Sequence, residues 1–300
     1  MDKIVLKRLS AFLGPLLTPK QSGFRRGDGT SPQLMRLVQE WSVALDSADL
    51  VRVVFFNFKK AFDRVCLPGL ILKLKAAGLQ GKSLLWCTSF LTGHCQRVRV
   101  GSAISSTEHL HAGVPQGAIL SPLFFSRYIN DIVESADAQF NLFADDTSVY
   151  VTAKSPITLQ QKLQGVIDRM ACWFQQWAIS INPTKSAVMV LTRQRHIQLL
   201  DIQLNGQALP QVSTHKRLGI VINRKLTWSD HVNFIRRKAA KKLGLLRRIR
   251  RRPPSLVIRT LYVTCVRPTL EYASGAWGGL CKEDANRLER LQRCAARSIA

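Results

Sequence analysis

Apolar positions along the chain change their spacing several times, and each change marks an element. Leu50–Phe58 is a dense run of Val and Phe, which predicts a buried strand. Ahead of it lie a short apolar helix candidate, a Gly/Arg-rich turn (QSGFRRGDGTS) and an amphipathic helix near Gln33–Leu45. Beyond it, Leu70, Leu74 and Ala77 fall at helical spacing between Pro68 and Gly78. Residues 95–110 alternate as a hairpin would, around QRVRVGS, and GVPQGAILSPLFFSRYINDI reads as a loop feeding a long apolar helix. Phe140–Val151 splits into two strand-like pieces that meet at Asp145-Asp146. Residues 158–178 are helical in pattern, and Lys185–Thr192 returns to a strand. Strands and helices interleave without the strict alternation of a parallel sheet, so the expected class is α+β with a mainly antiparallel sheet.

The character changes after Thr227. From Arg236 to Arg252, ten of seventeen residues are basic, while Ile235, Ala239, Leu243, Leu246 and Ile249 keep a helical apolar stripe. This is an amphipathic helix with a strongly basic face. Over all 300 residues, 44 Lys and Arg stand against 19 Asp and Glu, a formal charge of +25. Such an excess calls for a polyanionic partner, nucleic acid or an acidic membrane surface. No run approaches the roughly 18 apolar residues that span a bilayer, and Lys7 and Arg8 interrupt the only signal-like stretch. Nucleic acid is the favoured partner, with no membrane. Seven scattered cysteines without a CxxC pair read as reduced packing residues of an intracellular protein, not as a zinc site.

Asp145-Asp146 is the sharpest local feature. Adjacent carboxylates repel each other, at a cost that grows with burial. A solvated hairpin turn carries such a pair harmlessly. The other solution is a divalent cation: Mg²⁺ takes one or two carboxylates plus substrate phosphates. Two ions about 3.5–4 Å apart clamp the attacking and leaving oxygens of phosphoryl transfer. Such a site wants a further carboxylate from a neighbouring strand, and the candidate strand offers Asn57 instead.

Read in order, the motifs resemble the reverse transcriptases of non-long-terminal-repeat (LINE-like) retrotransposons. QSGFRRGDGT is similar to the family's fingers motif, FFNFKKAFDRV to palm motif A and GVPQGAILSPLFFSRYINDI to motif B. FNLFADDTSVY resembles motif C, WAISINPTKSAVMVL motif D, HKRLGIVINRKLTW the primer grip, and RTLYVTCVRPTLEYASGAWG the thumb. The resemblance implies a right-hand polymerase fold with an antiparallel palm sheet, fingers, and a basic helical thumb. It places fingers and palm in residues 1–222, with fingers at about 1–50 and 64–110 and palm at about 51–63 and 111–222. Residues 223–300 would be the thumb, truncated, with the element's upstream endonuclease outside the chain.

The same resemblance distributes roles. Asp145 would ligate both Mg²⁺ (or Mn²⁺) ions, with Asp146 beside it, and Asn57 stands where the family has the bridging motif A Asp. Phe58 would offer its carbonyl near the nucleotide, Phe62 would be the steric gate against a ribose 2′-OH, and Gln116 and Gly117 would line the nucleotide pocket. Lys185 would be the general acid for pyrophosphate, and Arg25 and Arg26 would hold triphosphate or template. Arg236, Arg237, Lys238, Lys241, Lys242, Arg247 and Arg248 would grip an RNA–DNA hybrid by backbone and shape. The partners implied are an RNA template, a DNA primer and deoxynucleoside triphosphates, in a cytoplasmic and nuclear life cycle.

Each residue also has a plainer reading: Phe62 as core, Lys185 and the arginines as solvated charge, Gly117 as a turn. Asn57 is nearly isosteric with Asp but offers one neutral oxygen, so the fold should survive it while metal-assisted chemistry is impaired. Asp63, expected in the helix after the strand, should not reach the same ions. Arg217 in the primer grip and Arg127 in the motif B helix are further departures from the family pattern. Two functions stay open: an RNA-directed DNA polymerase impaired at Asn57, and a catalytically dead nucleic-acid-binding remnant. A basic structural protein unrelated to polymerases would leave the motif order as coincidence.

Overall fold

The computed structural model describes residues 2–194, 200–249 and 254–299. The chain divides into two compact units: residues 1–29, 52–188 and 198–211 form the first, and 30–51, 189–197 and 212–300 the second. Strands Leu50–Phe56 and Ala187–Leu191 contribute residues to both.

A four-stranded sheet runs in the order Gln139–Phe143, Asp146–Ala153, Leu50–Phe56, Ala187–Leu191. Every residue of Leu50–Phe56 is buried, as an inner strand covered on both faces requires. It even buries Arg52, whose guanidinium reaches the Gln160 side chain and the Leu200 carbonyl (2.6 Å). Burial lowers its pKa to about 10. Helix Pro156–Gln176 turns Leu159, Leu163, Val166, Ile167, Met170 and Phe174 inward at three- and four-residue intervals. Phe174 meets the rings of Phe56 (5.3 Å) and Phe58 (6.0 Å) edge-on, which joins the helix to the end of the inner strand.

Helix Leu67–Ala76 starts with Pro68 in its first turn, where a missing N–H costs nothing, and packs on helix Ser121–Tyr128. Between these helices and Pro156–Gln176, Lys73 is buried under the Trp177 ring (3.6 Å) and paired with Asp131 (2.5 Å). Burial is the chief cause of its pKa falling to about 8. The motif B helix is shorter than its apolar run implies: it ends at Tyr128 and gives way to a 3₁₀ turn, Asn130–Glu134. The expected hairpin at 95–110 is two short ladders, Cys95–Gln96 with Glu108–His109 and Arg99–Val100 with Ala103–Ile104, all exposed.

In the second unit, helix Thr30–Asp46 buries Leu34, Leu37, Val38, Trp41 and Leu45 and packs on the short helix Ser274–Trp277. Gly275 lies against the Met35 side chain, whose sulfur would be 2.8 Å from a Cβ there and would have to shift to admit one. A hairpin, Thr214–Arg217 with Ile220–Asn223, leads to helix Ser229–Ile249. That helix packs Ala239 and Leu246 against Val266 and Leu270, with Leu288 and Leu291 of helix Lys282–Ile299 alongside. Ile235, Ala239, Leu243 and Leu246 are buried, as the stripe predicts. Arg250, Arg251 and Arg252 lie outside the described residues.

Candidate active site

The carboxylate pair sits in a hairpin tight enough to need unusual backbone. Phe143 pairs with Asp146, so only Ala144 and Asp145 form the loop. Ala144 takes a left-handed φ of 53°, a conformation that normally favours glycine and strains a Cβ-bearing residue by about 1 kcal/mol or more. Something outside the hairpin must hold it, and that support is the QSG segment far upstream. Lys20 and Ser22 bracket Leu142 with backbone hydrogen bonds: Leu142 N–H donates to Lys20 O (3.0 Å) and Ser22 N–H to Leu142 O (2.9 Å). Gln21, fully buried, accepts from Gly23 N–H (3.1 Å) and Ala144 N–H (3.2 Å) on one side-chain oxygen. Gly23 sits so close that a Cβ would lie 2.5 Å from the Ala144 nitrogen.

Asp145 and Asp146 are exposed at the hairpin end of these two strands. Partial shielding of the Asp145 carboxyl, and then repulsion from Asp146, raise its pKa, while its own backbone N–H pulls the other way. A cation would relieve both effects.

Asn57 directly follows the neighbouring strand and is also exposed. Its backbone is clamped by the loop that carries Lys185: Asn57 N–H donates to Ser186 Oγ (3.1 Å) and Asn182 N–H donates to Asn57 O (2.8 Å). Ser186 is itself held by Asn182 O (2.8 Å). Lys185 is exposed on this loop, and its N–H donates to Asn182 O (3.2 Å). Phe58 is buried and pairs with Ile181 through the backbone. The structure therefore brings motif A and motif D together through Asn57's main chain, leaving its side chain out of the scaffold.

Phe62 is half-buried and stacked on Phe125 (4.5 Å). Its carbonyl accepts from Val114 N–H and that of Val65 from Gly113 N–H (2.9 Å each), so the motif A turn is stitched to the motif B loop. Asp63 is not helical, contrary to the sequence expectation. It lies in a turn, because the helix waits for Leu67, and its carboxylate accepts from Gln116 Nε2 (2.5 Å). Asp63 and Gln116 line one cavity of about 600 Å³ with Lys60, His94 and Pro115. Gly117 takes a φ of 84° in open space, a plain glycine turn beside that cavity. Arg25 is half-buried, its guanidinium donating to Thr18 O (2.9 Å) and Gln21 O (3.4 Å); Arg26 is exposed.

On helix Ser229–Ile249, Arg236, Arg237, Lys238, Lys241, Arg247 and Arg248 are exposed. Arg237, Lys238 and Lys241 border a cavity of about 590 Å³ with Phe234 and Thr214. Lys242 differs: its ammonium donates to Cys265 O (2.7 Å) and Thr269 Oγ1 (2.8 Å), an internal brace.

Adjacent carboxylates at a sheet-end hairpin, beside the strand that Asn57 follows, are the arrangement that the resemblance to a polymerase palm leads one to expect. Residues 1–234 match the family described as reverse transcriptase (RNA-dependent DNA polymerase), and the chain belongs to that family. It is similar to three Drosophila melanogaster proteins: the probable RNA-directed DNA polymerases of transposon X-element (32% identical over 94% of this chain) and transposon BS (29% over 99%), and the RNA-directed DNA polymerase of mobile element jockey (30% over 100%). The chain spans 32%, 34% and 34% of their lengths. Among solved structures, apo telomerase from Candida tropicalis (TM-score 0.55, 12% identical, covering 100% of this chain and 55% of that one) has the same right-hand fold. So does Candida albicans telomerase in complex with a fragment of telomeric RNA (TM-score 0.54, 14% identical, 99% and 51%).

The family implies divalent metal in general. The residues here fit one such ion: two adjacent carboxylates, one with a raised pKa, are a donor set for Mg²⁺ completed by phosphate oxygens. Among the described residues no group of three or more His, Cys, Asp or Glu side chains gathers to hold a metal. Nor, among them, is any helix long and apolar enough to cross a membrane. Sequence reasoning missed Gln21 and Gly23. The signal for them was present in the QSG triplet, but nothing local says that it docks on the strand before the carboxylates.

Proposed function

We propose that this chain is an RNA-directed DNA polymerase domain, impaired at Asn57, that extends a DNA primer on an RNA template. One observation carries the reading: the Asp145-Asp146 turn is braced by Gln21 and lies at the end of the strand beside Leu50–Phe56, which Asn57 directly follows. Asp145 and Asp146 hold Mg²⁺ or Mn²⁺, which when bound neutralises charge on the transferring phosphoryl group. The protein's own part is positioning. Phe62, stacked on Phe125, walls the sugar side of a deoxynucleoside triphosphate, and Gln116, with Gly117 next to it in the chain, borders its pocket. Lys185, exposed on its loop, donates the proton to departing pyrophosphate. Arg26 meets phosphate, with Arg25 bracing the loop beneath it.

The fingers and palm are residues 1–222 and the thumb 223–300, whose exposed cations hold the hybrid's backbone. The RNA bound by a telomerase of the same fold, and the retrotransposon origin of the relatives, support an RNA template and work in cytoplasm and nucleus.

Asn57 favours a second reading, a nucleic-acid-binding remnant without turnover. Its loss of charge weakens a clamp worth several kcal/mol, which is orders of magnitude in rate. Primer extension on poly(rA)/oligo(dT) with Mg²⁺ separates the two. The parent chain should be slow and Asn57→Asp should polymerise. If neither extends, the polymerase reading is wrong; if the parent is already fast, the metal argument at Asn57 is.

A further inference from the structure

We infer that Asp63 is a positioning residue: it fixes the carboxamide of Gln116 and so sets the nucleoside triphosphate affinity of the cavity they share. This rests on the polymerase reading above.

A free glutamine at a cavity wall presents either amide oxygen or amide nitrogen to a ligand, because a half-turn about its last bond exchanges them. A carboxylate only accepts, so the 2.5 Å contact holds Gln116 with Nε2 toward Asp63 Oδ1. The carbonyl end of the amide is then the end left for a ligand. An acceptor held there suits a donor on the incoming nucleotide, a sugar hydroxyl or a base N–H.

The contact is built in by the backbone as well. Gly113 takes a φ of 92°, and a Cβ there would lie 2.7 Å from Asp63 O. The turn and the motif B loop are thus pressed together, and hydrogen bonds from Gly113 and Val114 to Val65 and Phe62 fix their register. The seam keeps the Asp63 and Gln116 backbones in register, so that their side chains stay within reach of each other. Asp63 is also committed to Gln116 and not to the Asp145-Asp146 turn, so it does not substitute for the carboxylate absent at Asn57. Lys60, His94 and the free thiol of Cys95 are the other charged or titratable side chains on the same cavity wall.

The test is single-nucleotide incorporation of dTTP on poly(rA)/oligo(dT) by the full chain carrying Asn57→Asp. Asp63→Ala should raise the KM for dTTP about tenfold, the scale of one charge-assisted hydrogen bond, and leave kcat within about twofold. Asp63→Asn keeps an acceptor facing Nε2 and should restore KM to within about threefold of the parent. Gln116→Ala should raise KM similarly, and adding Asp63→Ala to it should change little, because the two act as one unit. An unchanged KM, a fall in kcat and melting temperature alone, or multiplying effects of the two substitutions would overturn the inference while leaving the polymerase reading intact. If Asn57→Asp extends no primer, both fall together.

Discussion

Replacing Gln21 with methionine keeps the side chain's length and removes its hydrogen-bonding oxygen. That oxygen now serves two backbone donors, Gly23 N–H and Ala144 N–H, in a fully buried position. Each would be left as a buried, unpaired N–H, at about 1–3 kcal/mol apiece. One gain offsets part of this: Gln21 Nε2 is itself buried without a partner, and methionine relieves that group. The net expectation is about 2 kcal/mol of local destabilisation, centred on the turn that carries Asp145. Because the chain has two compact units, a single global midpoint is a poor readout. Native-state amide exchange at Ala144 is better, and about 2 kcal/mol corresponds to roughly thirty times faster exchange. Mg²⁺-dependent stabilisation should weaken in the same variant. If Ala144 exchanges at the parent rate, the turn is self-supporting and the bracing role of the QSG segment is wrong.

Two other outcomes can be checked on the same protein. His231 is fully buried beside Trp277 (4.9 Å) with Nδ1 accepting from Val221 N–H, and burial lowers its pKa to about 4. The unfolded chain therefore binds the extra proton first: stability is full above about pH 6.5 and is lost as pH falls toward 4. His215, lowered to about 4 by burial and Arg217, adds to the same slope, so His231→Phe should flatten only part of it in urea titrations at pH 7 and pH 5. For hybrid binding, Arg237→Ala and Lys241→Ala should each reduce the salt slope of log K by about 0.9. Lys242→Ala should leave that slope unchanged and lower stability, since its ammonium braces Cys265 and Thr269. Equal effects of all three would show that exposure does not decide which cations meet phosphate.

The features legible in the sequence were those with a short period. The inner strand, the hairpin at Asp145-Asp146 and the stripe of helix Ser229–Ile249 all announce themselves within a dozen residues. The illegible ones are contacts between distant segments. Gln21 and Ala144 are 123 residues apart, and Asp63 and Gln116 are 53 apart; nothing in either local pattern pairs them. Apolar spacing that resumes just after Asp63 predicts a helix there, yet a seam with the Gly113 loop holds residues 59–64 as turns. Likewise Lys242 looks identical to Lys241 in a basic run, and only the neighbouring carbonyl of Cys265 tells them apart.

That distinction between scaffold and charge also bears on Asn57. Its main chain is held at both polar groups, by Ser186 Oγ and the Asn182 N–H, and neither bond involves the side chain. An aspartate would sit on the same clamp with no rearrangement. On the reading proposed above, the exchange changes charge and not scaffold: two adjacent carboxylates remain, one with its pKa raised, and a third charge that would draw a second cation would be missing. A polymerase impaired in this way would keep, on that reading, its scaffold, its basic helix face and the Asp145-Asp146 pair. Restoring one oxygen's charge at Asn57 is then enough to test whether turnover was lost there and nowhere else.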